Sequence, residues 1–220
     1  MKRVILAAFA IFTFGVANAQ DLKFGIKAGA NLSTLTGDAV ADDVKMKAGF
    51  NAGGFVEIKF TDKLALQPEL LFSLQGAKTT DRFDDGAGNI TRDESKVNLS
   101  YLNVPVMLKF YPVQSFFLEG GPQVGFLVSA KSKDETTENF TDGTVLNSSA
   151  ETDIKDNLKT VDFAFNLGLG YDFTQSLSLN ARYSIGLTNV YDAPDYLGVF
   201  GITDLDAKNS VISLNLGYKF

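Results

Sequence analysis

The 220-residue chain has no cysteine, no histidine and no tryptophan, and only five prolines. Without cysteine, no disulfide can staple the fold. Without histidine, Ser-His-Asp and Cys-His catalytic arrangements are excluded, and the commonest metal ligand is missing. Beyond the N-terminus there is no apolar run approaching the roughly 20 residues a transmembrane helix needs. Positive charge is scarce too. Once Lys2 and Arg3 are set aside, the 20 basic residues fall to 18 against 26 acidic ones, a net charge of −8. That balance argues against nucleic acid as a partner, because affinity for a polyanion rests on clustered Lys and Arg.

The N-terminus itself reads as a secretory signal peptide over residues 1–19. Lys2 and Arg3 form a basic start, Val4–Val16 an apolar stretch, and Ala17-Asn18-Ala19 a small-x-small cleavage site. The expected mature chain, residues 20–220, is long enough for one β domain and too short for a barrel with a substantial second partner. It is therefore expected outside the inner membrane, either soluble or inserted as strands.

Alternation with period two picks out eight segments: Leu22–Leu32, Met46–Phe60, Leu64–Gly76, Lys96–Tyr111, Phe116–Ala130, Thr160–Phe173, Leu177–Asn189 and Asn209–Phe220. In the last, Ile212, Leu214, Leu216, Tyr218 and Phe220 share one face, and a strand ending on an outward aromatic suits an apolar surround. The connectors alternate in length. Thr61–Lys63, Pro112–Ser115 and Thr174–Ser176 are tight turns, whereas Ser33–Lys45, Ala77–Ser95, Lys131–Lys159 and Val190–Lys208 are long and polar. All short turns thus fall on one rim and all long loops on the other. This pattern predicts an all-β, eight-stranded, antiparallel up-and-down transmembrane barrel in the outer membrane, in contact with its lipid. Pro68, Pro105 and Pro122 lie inside three of these segments and require a bulge or a non-bonding ladder position at each.

Two sets of residues follow from the barrel. Phe60, Phe110, Tyr111, Phe116, Phe117, Tyr171, Phe173, Tyr218 and Phe220 cluster at the short-turn rim and read as a periplasmic aromatic girdle. Glu57, Lys59, Glu69, Lys109, Glu119, Asp162, Arg182 and Lys219 have lumen parity, and opposite charges on neighbouring strands are expected to pair there. A barrel of this size is filled by side chains or holds one small ligand. A filled polar core is the expectation, with a narrow porin for small solutes or ions as the alternative.

No catalytic residue, cofactor or metal is assigned. Glu57 and Glu69 could perform acid–base work, but inward carboxylates beside Lys and Arg are structural far more often. Asp81–Gly86 partly resembles a calcium loop, yet Phe83 occupies a ligand position and Arg92 stands where the bidentate Glu belongs. A solvated acidic loop is favoured over a weak cation site at Asp81, Asp84 and Asp85. Protein contacts are expected at loops 131–159 and 190–208. The second loop, with Tyr191, Tyr196, Leu197, Val199 and Phe200, either meets a partner or packs over the barrel mouth.

The segments FGIKAGANLSTL (Phe24–Leu35), LQPELLFSLQGAK (Leu66–Lys78), YLNVPVMLKFYP (Tyr101–Pro112), FLEGGPQVG (Phe117–Gly125), GLGYDF (Gly168–Phe173) and RYSIGLTN (Arg182–Asn189), with the terminal LNLGYKF, resemble the PorT-like outer-membrane β-barrel family. The resemblance spans nearly the whole mature chain in order. It implies a small barrel, some of whose relatives are linked to protein secretion machinery. It also implies that the strand ending at Phe220 is read by the outer-membrane barrel-assembly machinery.

Overall fold

The computed structural model describes residues 21–37, 40, 44–192 and 206–220. Residues 1–19, expected from the sequence to be a signal peptide, lie outside these residues. Nine strands run in order: β1 Asp21–Thr36, β2 Lys45–Thr61, β3 Leu64–Asp84, β4 Ile90–Phe110, β5 Phe116–Asn139, β6 Val145–Asp153, β7 Val161–Asp172, β8 Leu177–Asn189 and β9 Lys208–Lys219. Each pairs antiparallel with its neighbours in the order β4-β3-β2-β1-β9-β8-β7-β5-β6, and a further β4–β5 pairing closes a ring of eight. The ninth strand, β6, joins only the upper part of β5. Residue parity sets the two surfaces. Leu70 and Phe72 of β3 face outward and are exposed, while Gln67, Glu69 and Ser73, of opposite parity, face inward and are buried. A slip of one residue would exchange these faces, so the pattern pins the register.

Two of the long loops are not loops. Ala77–Ser95 is largely strand, since β3 and β4 continue in unbroken register up to Asp84↔Ile90. Much of Lys131–Lys159 is a hairpin of β5 with β6, from Lys131↔Asp153 to Asn139↔Val145. Their ladders project past the apolar belt, where both faces meet water. Nothing there demands apolar alternation, so the period-two signal is absent although the backbone stays paired.

The prolines interrupt ladders without shifting them. β3 pairs with β2 at Phe55↔Glu69 and Ile58↔Leu66, with the Pro68 rung unpaired between. β3–β4 resumes from Pro68↔Val106 at Leu71↔Asn103, across Pro105, and β4–β5 from Pro105↔Gln123 at Leu108↔Gly120, across Pro122. The register shifts lie elsewhere, at Met46/Asn51, Lys59/Thr61, Ser100/Tyr101 and Ile185/Asn189. Two short turns are built alike, with Thr61 Oγ1 accepting from the N–H groups of Lys63 and Leu64, and Thr174 Oγ1 from those of Ser176 and Leu177.

Candidate functional site: a filled lumen and a projecting sheet

The lumen is layered. Nearest the middle, Lys27, Glu69, Arg182 and Glu119 form a chain of two cations and two carboxylates, a quartet. Lys27 Nζ lies 2.7 Å from Glu69 Oε1, Arg182 donates to both Glu69 oxygens at 2.9 and 3.0 Å, and its Nε reaches Glu119 Oε1 at 2.9 Å. Gln67 and Asn180 donate to the same carboxylates at 2.6 and 2.7 Å. A second quartet sits closer to the short-turn rim. Glu57 accepts from Lys109 and Lys219, both at 3.0 Å, and Lys219 also reaches Asp172 at 3.1 Å. The Tyr111 hydroxyl donates toward Glu57 and Asp172 at 3.3 and 3.4 Å. Each quartet sums to zero charge, the condition under which ions can be buried together without a large desolvation cost.

Pairing runs across the lumen rather than between neighbouring strands, which corrects the sequence expectation. Lys109 stands directly opposite Glu119 in the β4–β5 ladder yet bonds Glu57 of β2, and Arg182 of β8 reaches β3. In a narrow barrel, inward side chains converge on the axis, where long ones meet strands two or more away. Of the predicted charges, Glu57, Glu69, Lys109, Glu119, Arg182 and Lys219 are brought together. Two stand apart. Lys59 lies over the Tyr111 ring, 5.2 Å from its centroid, and buried Asp162 accepts from Asn209 at 3.0 Å. Lys27 and Asp172 were missed, although both have lumen parity.

The girdle divides in the same way. Phe60, Phe110, Tyr171, Phe173, Tyr218 and Phe220 are exposed on the outward face, and Phe116 is half-buried beside Tyr171. Tyr171 packs edge-on against Phe173, and Tyr218 against Phe220, at 5.3 and 5.6 Å between centroids. Tyr111 and Phe117, however, are buried inside with Ala65 and are not girdle residues. Phe110 and Tyr111 are consecutive, as are Phe116 and Phe117, so one of each pair must face in. Phe117 fits because Gly170 opposite it has no side chain; a Cβ there would lie 2.3 Å from the ring. The Lys109 ammonium sits 4.2 Å from the centre of the same ring.

Above the central quartet comes a layer of amides and hydroxyls. Asn51 donates to Asn31 and Asn215, both at 2.7 Å, Asn31 to Ser73 at 2.9 Å, and Asn166 to Gln123 at 3.3 Å. The cavity among them is about 30 Å³, room for water and too small for a solute. Higher still, Leu35, Leu99, Tyr101, Leu127, Leu158 and Val190 form an apolar cap, with Ile154 and Tyr191 packed on it. The start of loop 190–208 therefore packs over the mouth, while Tyr196, Leu197, Val199 and Phe200 lie outside the described residues. The carboxylates of Asp84 and Asp85 accept backbone N–H groups of Gly86, Ala87 and Asn89, shaping the β3–β4 turn.

Beyond the cap, β3, β4, β5 and β6 form a four-stranded projecting sheet whose faces differ. On β3–β5 every cation of this region, Lys78, Arg82, Arg92, Lys96, Lys131 and Lys133, has outward parity by register. The inward face carries Asp81, Asp93, Asp134 and Glu138. Hydrogen bonds follow the same division: Thr136 bonds Asp93 at 2.6 Å and Ser95 bonds Asp134 on one face, while Lys96 and Lys133 bond Glu135 on the other. Hydrogen bonds from Lys133 and Lys96 hold the Glu135 carboxyl down at about 2. The far edge of β6 has no partner strand among the described residues, and all nine β6 residues are exposed. Phe83, Phe140, Val145 and Leu146 are exposed apolar side chains at its tip.

Solved structures that resemble this chain include three bacterial proteins. Ail, the attachment invasion locus protein of Yersinia pestis, aligns at 16% identity and TM-score 0.45, over 91% of this chain and all of its own. The outer membrane protein OprG of Pseudomonas aeruginosa aligns at 15% and 0.40, covering 93% and 99%, and Neisserial surface protein A at 13% and 0.39, covering 91% and 100%. No curated protein matches the chain. The family model for the outer membrane protein beta-barrel domain matches residues 18–192, most of the ring just described. The chain belongs to the outer membrane protein beta-barrel domain family.

Proposed function

We propose that this protein is a non-enzymatic, non-conducting outer-membrane anchor that presents its projecting sheet to a partner protein, in an adhesive role or as an accessory of a membrane assembly. The free edge of β6, ending in the apolar tip of Phe83, Phe140, Val145 and Leu146, carries this reading. An unpaired edge offers backbone donors and acceptors to an incoming strand, and an exposed apolar tip adds side-chain contact. The filled lumen supports the anchor role, because two neutral quartets, an amide layer and an apolar cap occupy it one above another among the described residues. The finer placement among PorT-like barrels, with a secretion-linked role, rests on the quoted motifs. Export by a signal peptide cleaved before Gln20 and assembly guided by the strand ending at Phe220 belong to the same reading.

The test shortens the hairpin. Excising residues 135–149 and joining Asp134 to Ala150, which are register partners, through an Asn-Gly turn keeps the ring intact. Partners captured by cross-linking in outer membranes should be lost in this variant, while heat-modifiable gel migration stays that of a folded barrel. An unchanged set of partners would refute the edge as the contact. Discrete conductance steps from the intact protein in planar bilayers would favour the narrow porin instead.

A further inference from the structure

The lysines of the projecting sheet lie in one row. Lys45 is directly opposite Lys78, Lys78 opposite Lys96, and Lys96 opposite Lys133, with Lys131 one position nearer the membrane on β5. Like charges in directly opposed positions repel and weaken a sheet, so the row is unfavourable unless anions neutralise it. Carboxylates meet part of that need: Glu135 lies within 2.6–2.8 Å of Lys133 and Lys96, Glu94 lies 2.7 Å from Lys96, and Glu151 lies 2.6 Å from Lys131, which leaves Lys45 and Lys78 without an ion pair among the described residues. No carboxylate lies on the row itself from β2 to β5; the first is Glu151, opposite Lys133 on β6.

The position of the row indicates what the rest meets. On β3 the outward residues run Phe72, Leu74, Gly76, Lys78, so the row begins four residues past the last apolar side chain. At about 3.3 Å per residue and a tilt near 40°, that is roughly 10 Å of height. A lysine side chain lying back along the strand shortens this to the depth of the headgroup layer. On β3–β5 the inward face, which cannot meet the membrane, has no cation among the described residues.

We propose that the outward face of the projecting sheet, through Lys45, Lys78, Lys96, Lys131 and Lys133, is a docking surface for the phosphate groups of lipid headgroups. The observation is independent of β6's free edge, since it concerns a face rather than an edge. Docked phosphates would relieve the repulsion along the row and fix the angle at which the sheet leaves the membrane.

The mature chain in phosphatidylcholine nanodiscs containing a minor fraction of phosphatidylglycerol tests this, with retained lipid counted by native mass spectrometry. Wild type should retain phosphatidylglycerol preferentially. A lysine at an anionic surface contributes roughly fivefold, so combined K78Q, K96Q and K133Q should reduce the preference on the order of tenfold or more. Asp81→Asn with Asp93→Asn, on the inward face, should leave it unchanged. Equal preference in the triple variant and wild type, with both folded by gel migration, would overturn the proposal. Displacement by inorganic phosphate beyond that by chloride of equal ionic strength would also overturn it, as would lysine-dependent capture of dextran sulfate without lipid preference. Either would assign the row to a soluble anion.

Discussion

Replacing Arg182 by Met removes three charge-assisted hydrogen bonds of 2.9–3.0 Å at one stroke, and their loss is unequal for the two carboxylates. Glu69 keeps Lys27 at 2.7 Å and Gln67 at 2.6 Å, whereas Glu119 keeps only Asn180 among its side-chain partners. The cost is therefore essentially that of one buried carboxylate left without its cation, about 3–5 kcal/mol. Adding Glu119→Gln returns the site to a neutral Lys27–Glu69 pair, so the double variant should recover more than half of the loss. Lys27→Met should cost less than Arg182→Met, because Glu69 keeps a bidentate arginine. Urea unfolding from phospholipid vesicles measures all three; with no tryptophan in the chain, far-ultraviolet circular dichroism and heat-modifiable migration report the transition. A loss below about 1 kcal/mol for Arg182→Met, or a double variant no more stable than the single, would refute the neutral quartet as the unit of stability.

Three further outcomes are expected. Gly170→Ala forces a Cβ to within 2.3 Å of Phe117 and should destabilise the barrel by about 1–3 kcal/mol in the same titration, with Phe117→Leu in the same chain restoring part of it. Lipid selectivity at the lysine row should be flat between about pH 5 and 8, because no histidine titrates there and Glu135, depressed to about 2, loses its charge only as the pH falls through that value; a pronounced slope would contradict this. Phe220→Ser should lower the yield of assembled barrel in outer-membrane fractions, with less effect on refolding in detergent, and equal yields would separate the strand from any assembly signal.

The ring was legible because lipid lies on one side of it and a polar lumen on the other. Ile212, Leu214, Leu216 and Tyr218 alternate with Ser213, Asn215 and Gly217 for that reason alone, and β8 was found to the residue at Leu177–Asn189. The same logic failed for Thr79–Asp84 and Thr91–Ser95, whose two faces both meet water. Parity also assigned most lumen charges to their face, but could not say which of them meet. Lys109 bonds Glu57 rather than the facing Glu119 because the partners are chosen across the axis, by the barrel's shear and side-chain length. Tyr111 and Phe117 were misplaced because aromatic character outweighed parity at two consecutive pairs. The Gly170 opening that admits Phe117 is a contact between neighbouring strands whose paired residues lie far apart in sequence, with no local signature.

Cross-lumen pairing also dictates an order of events in folding. Lys219 and Glu57 are 162 residues apart, and Arg182 and Glu69 are 113 apart. An open sheet of the first five strands would hold Glu69 and Glu119 without their arginine, and Glu57 with only one of its two lysines. Those ions would stay hydrated until β8 and β9 arrive. Loss of that water, burial of the charges and closure of the β1–β9 seam thus become one late step, and a misregistered terminal strand would meet an electrostatic barrier before it could seal the wall.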